Sequence, residues 1–147
     1  MNALNKRILP LLLGAGLLTG CEKELDTYYV PQSAPGFFTI GILGTTLNTT
    51  FAARYGTGRS IPITAAYNQT DNPTTITVFQ ATRTDSMQVG SYPASGTFNQ
   101  TFQTTTQAIP YVVPTTYALN TTVRLDVTLT FASGAQRRRS ITYTVAN

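Results

Sequence analysis

The stretch TTVRLDVTLTFA, residues 121–132, decides the fold class of this chain. Apolar and polar side chains alternate along it, and one of its two faces consists of Val123, Leu125, Val127, Leu129 and Phe131. A period of two residues predicts a β-strand with one buried face. After the short stretch SGAQ, residues 137–147 (RRRSITYTVAN) alternate in the same way, so the two runs are predicted to form a C-terminal β-hairpin around Gly134.

Similar alternating runs recur earlier in the chain, each bounded by Gly, Pro or Asn. They predict strands over residues 37–43, 60–67, 74–81 and 97–105, with weaker strands near 47–54 and 85–89. Pro110 and Pro114 suit a connection between two sheets, because proline cannot donate to a strand ladder. About seven strands with regular turn signals predict an all-β fold over residues 37–147, one sandwich or barrel, and we expect a single antiparallel β-sandwich.

The composition limits the classes of partner. Of the 147 residues, 41% are hydrophobic and 11% are charged, so solubility depends mainly on uncharged polar groups, as in secreted β proteins. The formal net charge is +4, and removal of Lys6 and Arg7 with the N-terminal segment leaves +2. Such a small positive charge does not indicate a nucleic-acid partner, and we expect none.

The N-terminal residues have the order of a targeting signal. Lys6 and Arg7 precede an apolar run that is too short to span a bilayer, and Leu18-Thr19-Gly20-Cys21 follows. This order resembles the lipobox of bacterial lipoproteins, in which the cysteine thiol receives a diacylglyceryl group and the peptide is cut before it. The resemblance implies a signal peptide over residues 1–20 and a covalent lipid on Cys21 that holds the chain on a membrane. The alternative is a free thiol in a cytosolic protein.

A charged cluster follows the cysteine, consisting of Glu22, Lys23, Glu24 and Asp26. It resembles the export signal that sends lipoproteins of Bacteroidetes to the outer face of the outer membrane. The resemblance implies an outer-membrane protein that faces the cell exterior. The alternative is a solvated tether, which would allow the periplasmic face. In either case residues 21–36, with two prolines near their end, are predicted to form a lipidated linker.

The C-terminal hairpin also carries a resemblance. Its sequence, LDVTLTFASGAQRRRSITYTVAN, is similar to the final hairpin of the immunoglobulin-like domains common in Bacteroidetes lipoproteins. The resemblance implies an immunoglobulin-like sandwich, although the cysteine and tryptophan of antibody-type domains are missing.

The inventory of reactive side chains argues against an enzyme. The chain has no histidine and one cysteine, and its only lysine after the signal segment is Lys23. Ser-His-Asp, Cys-His and Ser-Lys catalysis and zinc sites of the His and Cys type are therefore excluded. A two-carboxylate site would have to use Asp71, Asp85 and Asp126. We expect no enzymatic activity and no cofactor.

Two groups of polar residues have both a structural and a functional interpretation. Asp71 with Asn68 and Asn72 could offer oxygen ligands to calcium, but a turn is the favoured interpretation. Arg137, Arg138 and Arg139 could contact an anionic surface, whereas the favoured interpretation is that they protect a sheet edge from pairing.

Two further features concern glycans. Asp85-Ser86-Met87 is similar to the O-glycosylation motif of Bacteroidetes, which makes Ser86 a candidate acceptor. Tyr28, Tyr29, Tyr111 and Tyr117 are the tyrosines most expected to be exposed. The sequence therefore predicts a non-enzymatic structural or interaction module with a protein or glycan partner at the cell surface. The alternative is a glycan-binding accessory lipoprotein of a polysaccharide-uptake system.

Overall fold

A computed structural model describes residues 35–147 of the chain. Outside the described residues lie the predicted signal peptide (residues 1–20) and the candidate residues Cys21, Glu22, Lys23, Glu24, Asp26, Tyr28 and Tyr29.

The described residues form ten strands and one short 3-10 turn, Gln69–Asp71. In chain order the strands are β1 (Phe38–Leu43), β2 (Leu47–Asn48), β3 (Arg54–Gly56), β4 (Ile63–Tyr67), β5 (Pro73–Ala81), β6 (Ser86–Pro93), β7 (Thr97–Asn99), β8 (Thr104–Ile109), β9 (Thr122–Phe131) and β10 (Gln136–Ala146). They make two five-stranded sheets, with the orders β2-β1-β4-β8-β7 and β3-β10-β9-β5-β6. The prediction of an all-β fold is confirmed.

The predicted C-terminal hairpin is present as β9 and β10. Val123 lies opposite Tyr143 and Leu125 lies opposite Ile141, and all four side chains are buried. Gly134 has a φ of 84° in the turn, a conformation that glycine adopts without strain. The period of two residues therefore predicted both the strands and the face that each one buries.

The hydrophobic core lies between the two sheets and receives side chains from both. The first sheet contributes Phe38, Ile40, Ile63, Ala65, Tyr67 and Ile109. The second sheet contributes Ile76, Val78, Val123, Leu125, Val127, Leu129, Phe131, Ile141, Tyr143 and Val145. Full burial of one such aliphatic or Phe side chain stabilises a fold by about 1.5–3 kcal/mol. Two sheets that share one core are the arrangement of a β-sandwich.

The single strand predicted over residues 97–105 is wrong, because the chain turns within it. The Asn99 side-chain oxygen accepts hydrogen bonds from the backbone N–H groups of Thr101 and Phe102, and Gln103 has a φ of 53°. This Asx-type turn ends β7 and reverses the chain into β8. Together with the division of residues 47–54 into β2 and β3, it raises the strand count above the predicted seven.

The prediction of a purely antiparallel fold is wrong at one pair of strands. β3 runs parallel to the end of β10, where Tyr55 lies opposite Val145, and the Thr144 N–H donates to the Ala53 carbonyl at 2.8 Å. The chain crosses from the first sheet to the second between β2 and β3. The other strand pairs in the described part of the chain are antiparallel.

The Pro-rich segment after β8 connects the two sheets, as predicted. Ile61 and Gly58 donate backbone hydrogen bonds to the carbonyls of Tyr111 and Val113, at 2.9 and 2.8 Å. Val113 donates in return to the Arg59 carbonyl at 2.9 Å. These bonds hold the connection, residues 110–121, against the segment that leads into β4.

Candidate functional site

An apolar cleft lies between the β5–β6 hairpin and the connection after β8. Its volume is about 510 Å³. It is lined by Gln80, Asp85, Met87, Val89, Pro110, Tyr111, Val112, Pro114, Thr116 and Tyr117. The size suits a short peptide segment or a small ligand.

The rim of the cleft is apolar and open to solvent. Met87 and Val89, both on the edge strand β6, are 50% and 38% exposed. Val112, in the connection after β8, is 56% exposed. Val89 lies opposite an irregularity in the β5–β6 pairing, between Val78 and Phe79. These three side chains make a small apolar surface at the rim of the cleft.

A hydrogen-bonded polar network forms the floor of the cleft. The Tyr111 hydroxyl donates to the Gln80 side-chain oxygen at 2.9 Å, and the Gln80 amide nitrogen donates to the Tyr117 hydroxyl at 2.5 Å. The hydroxyls of Tyr111 and Tyr143 lie 2.8 Å apart. Because the single Tyr111 proton points to Gln80, Tyr143 is the donor in this pair.

The network stays neutral at physiological pH. Burial raises the pKa of Tyr111 far above its ordinary value, and it raises the pKa of Tyr143 as well. The pKa of Tyr117 is raised mainly by burial and also by the negative charge of Asp85. The phenols therefore act as fixed hydrogen-bonding groups and not as acids or bases at neutral pH.

The cleft and Gly36 lie at opposite ends of β5. The Gly36 N–H donates at 2.9 Å to the carboxylate of Asp71, two residues before β5 begins, whereas Gln80 and Asp85 lie at its far end. Nine residues of strand at ~3.3 Å each span about 30 Å.

The loop around Asp71 is a turn, as favoured from the sequence. The Asn68 side-chain oxygen accepts from the Thr70 N–H at 3.1 Å and caps the 3-10 turn, and Asn72 takes a left-handed φ of 54°. The Asp71 carboxylate faces Gly36. Its oxygen atoms therefore fix the backbone at the start of the domain.

Asp126 lies on the outer face of β9, as predicted, yet it is only 7% exposed. Arg124 donates to its Oδ2 from Nε at 3.1 Å and forms an ion pair with it through Nη2 at 3.0 Å. Ser140 on β10 donates to its Oδ1 at 2.5 Å. These contacts supply the hydrogen bonds and the opposite charge that a buried carboxylate needs. Asp126 therefore has a structural role.

The three aspartates do not share a cleft. Asp85 lines the apolar cleft, and Asp71 lines a separate cleft of about 250 Å³ with Arg137. Asp126 lines neither of these two clefts. Among residues 35–147, no group of three or more His, Cys, Asp or Glu side chains lies close enough to hold a metal ion.

Ser86 is exposed at the first position of β6. The turn before it is closed by the Thr82 N–H, which donates to the Asp85 carbonyl at 2.7 Å, and by the Asp85 N–H, which donates to the Thr82 hydroxyl at 3.2 Å. The motif that suggested glycosylation therefore lies on an accessible hairpin beside the cleft.

The three arginines occupy consecutive exposed positions at the start of β10. Arg137 Nη1 donates to the Gln136 carbonyl at 3.4 Å, and Arg139 Nη1 donates to the Arg138 carbonyl at 3.3 Å. The Arg137 guanidinium also lies against Gly36, where a β-carbon would be 3.2 Å from its Nε and Nη2 atoms.

The expected exposure of Tyr111 is wrong, because the side chain is only 5% exposed. Tyr117 is half-buried. Both face the core side, where Tyr111 packs edge-on against Tyr143 with a centroid distance of 6.3 Å. The exposed Phe79 and Phe98 lie on different sheets, so their rings do not form one flat aromatic surface.

Sequence reasoning missed Gln80. It is 4% exposed and sits at an inward position of β5, after Ile76 and Val78. A polar residue at a position that the alternation assigns to the core is the signal that identifies it, because such a side chain needs buried hydrogen-bond partners.

Within the part of the chain that the structure describes, no helix is long and apolar enough to cross a membrane. No protein-family profile and no curated protein matches the chain.

Proposed function

We propose that this chain is a lipid-anchored lipoprotein of the outer membrane whose β domain is a non-enzymatic interaction module facing the cell exterior. The anchor is the lipid on Cys21, and Glu22, Lys23, Glu24 and Asp26 are the export signal. Residues 1–20 are the signal peptide in this proposal, and residues 21–36 are the tether.

The strand order supports an immunoglobulin-like type for the domain. Antibody-type constant domains have one sheet with the order A-B-E-D and a second with C-F-G, to which variable-type domains add C′. The sheet orders β1-β4-β8-β7 and β10-β9-β5-β6 correspond to A-B-E-D and G-F-C-C′. β2 and β3 are short additions at the edges.

The observation that carries the interaction role is the placement of the apolar cleft. Gly36, where the tether joins the domain in this proposal, lies at the start of β5, and the cleft lies at the other end of that strand. A domain anchored through Gly36 presents Met87 and Val112 away from its anchored end, where a partner can reach them.

The anchor is tested by metabolic labelling with a clickable palmitate. Wild type is expected to incorporate the label and Cys21→Ala to lose it, and equal incorporation would show that Cys21 is not acylated. Protease shaving of intact cells then tests the exterior location. Complete protection of the domain would place it on the periplasmic side.

The cleft is tested by photo-crosslinking in intact cells. A photoreactive residue at Val112 is expected to give a crosslinked adduct, while the same residue at Ser133, which is exposed in the β9–β10 turn, is expected to give none. Equal yields from both positions would contradict a specific interface at the cleft.

A glycan-binding accessory role is the second candidate, and the polar groups around Tyr117 are what favours it. Tyr117, Asp85 and Gln80 offer hydroxyl, carboxylate and amide groups at one cleft. Retention on polysaccharide affinity gels that is lost in Tyr117→Ala would support this candidate over a protein partner. No retention would leave the protein-interaction role.

A further inference from the structure

The outer edge of β10 offers a row of backbone hydrogen-bonding groups. β3 covers only Thr144, Val145 and Ala146, and β9 lies on the other side of the strand. The Val145 N–H donates to the Thr121 carbonyl, and the Phe131 N–H donates to the Ala135 carbonyl, so the odd-numbered residues face β9. The N–H and C=O groups of Gln136, Arg138, Ser140 and Thr142 therefore point outward, and no other described strand pairs with them.

The three arginines concentrate the positive charge of the domain on this edge. Residues 35–147 contain seven arginines and three aspartates, and no lysine or glutamate. Their one ion pair joins Arg124 to Asp126. The hydrogen bonds of Arg137 and Arg139 to neighbouring carbonyls are 3.4 and 3.3 Å long and exposed, so an incoming partner can replace them at little cost.

A second copy of this chain is a poor partner for the edge. If two β10 edges paired, the two arginine runs would lie side by side, and like charges in neighbouring strands are destabilising. The run therefore excludes self-pairing while it favours an acidic strand.

A phosphate group also fails to match the whole edge. Phosphate oxygens accept hydrogen bonds from guanidinium and N–H groups, but they leave the outward carbonyls of Arg138 and Ser140 without donors. A polypeptide strand supplies a donor and an acceptor at every second residue and so satisfies both kinds of group.

We propose that β10 from Gln136 to Thr142 is a docking edge for an extended acidic segment of another surface protein, which joins the second sheet as an added strand. This inference rests on the proposed role as an interaction module and names the chemistry of one partner. The segment is up to seven residues long, because β3 already occupies the positions from Thr144 onward.

The geometry also fixes the pattern of the partner's side chains. Arg137 and Arg139 lie on the core-side face of the sheet, and Arg138 lies on the outer face with Ser140. Carboxylates at alternate positions of the added strand lie beside Arg137 and Arg139. The residues between them are uncharged or β-branched, as strands favour.

Fluorescence anisotropy with the full mature chain in detergent micelles tests the docking. The probe is a labelled peptide of alternating Glu and Thr, and an alternating Lys and Thr peptide is its charge control. A third peptide, the Glu and Thr sequence with N-methyl groups at alternate residues, removes the backbone donors. We expect binding of the first peptide, none of the second, and at least tenfold weaker binding of the third, since the hydrogen bonds from its backbone donors are lost.

Variants of the protein distinguish binding at the β10 edge from attraction by the overall positive charge of the domain. The double substitution Arg137→Gln and Arg139→Gln is expected to weaken binding by about tenfold, because charge-assisted hydrogen bonds are lost. Arg83→Gln, an exposed arginine in the β5–β6 hairpin, is the matched control and is expected to leave binding unchanged. Circular dichroism confirms that each variant is folded.

Exchange of the backbone amide hydrogens distinguishes strand addition from attraction between charges alone. Bound peptide is expected to slow exchange of the Arg138, Ser140 and Thr142 amides. Equal binding of the N-methylated peptide, or unchanged exchange of these amides, would overturn strand addition. If the arginines only protect the edge, neither acidic peptide binds. The domain can still be anchored and bind through the cleft in that case, so failure here is distinct from failure of the proposed function.

Discussion

The hydroxyl oxygen of Tyr111 lies 2.8 Å from that of Tyr143 and joins the connection after β8 to the last strand of the other sheet. Tyr111 also donates to Gln80 at 2.9 Å, so three separate parts of the chain meet at one phenol group. A buried network of this kind restricts how the two sheets pack, because each polar group costs stability if its partner is lost.

Tyr111→Phe is expected to destabilise the domain by about 1–3 kcal/mol, because the buried Gln80 oxygen and the Tyr143 hydroxyl each lose a partner. Urea unfolding measures the change. Tyr92→Phe is the matched control, since its hydroxyl makes one exposed 3.3 Å bond to the Pro110 carbonyl, and we expect it to cost much less. Equal losses for the two variants would contradict a special role for the network.

The stability of the domain is expected to fall as pH rises above about 10, the pKa of an unperturbed tyrosine. Burial raises the pKa of Tyr67, Tyr111 and Tyr143, so these phenols keep their protons in the folded state at a pH where the unfolded chain loses them. The unfolded state then binds fewer protons, and the free energy of unfolding decreases with pH.

Urea unfolding between pH 8 and about pH 12 measures this decline. Tyr111→Phe removes one of the raised groups and is expected to make the decline shallower. A free energy of unfolding that stays constant across the range would contradict the assignment.

Gly96→Ala is expected to destabilise the domain by about 1–3 kcal/mol, the usual cost of overpacking. A β-carbon at this position would lie 2.5 Å from the Thr106 carbonyl oxygen and 2.8 Å from the Tyr67 hydroxyl oxygen. The Gly96 N–H also donates to that hydroxyl at 2.8 Å. Gly44→Ala is the control, because the nearest atom to its β-carbon is 3.7 Å away. Thermal unfolding of both variants distinguishes a tight site from a general effect of glycine replacement.

Ser86→Ala is expected to remove any O-linked sugar from the chain isolated from its own host. Intact-mass spectrometry measures the loss. Ser91→Ala is the control, since Ser91 is also exposed on β6 but follows Gly90 and not an aspartate. An unmodified mass for the wild type, or the same loss in both variants, would contradict the motif.

The elements that the sequence predicted well are those in which local alternation and tertiary burial agree. β9 and β10 differ from the predicted bounds by one residue at each end, and Val123, Leu125, Val127 and Leu129 point into the core as expected. In these strands a shift of the pairing register by one residue would turn the whole apolar face to solvent. The alternation is therefore compatible with one register only.

The features that the sequence did not predict depend on contacts between distant residues. Asn99 ends β7 through its side chain inside a run of strand-forming residues, and β3 pairs with β10 far along the chain. Tyr111 lies between two prolines and looked exposed, but its partners Gln80 and Tyr143 come from other strands. A single sequence shows the polar groups but not which of them meet.

The position of β10 between β3 and β9 determines when the second sheet can form. Val145 pairs with Tyr55 near the start of the domain and is two residues from the C-terminus of the sequence. The second sheet therefore cannot close until β10 has been synthesised. Contacts of such high sequence separation also make folding slow.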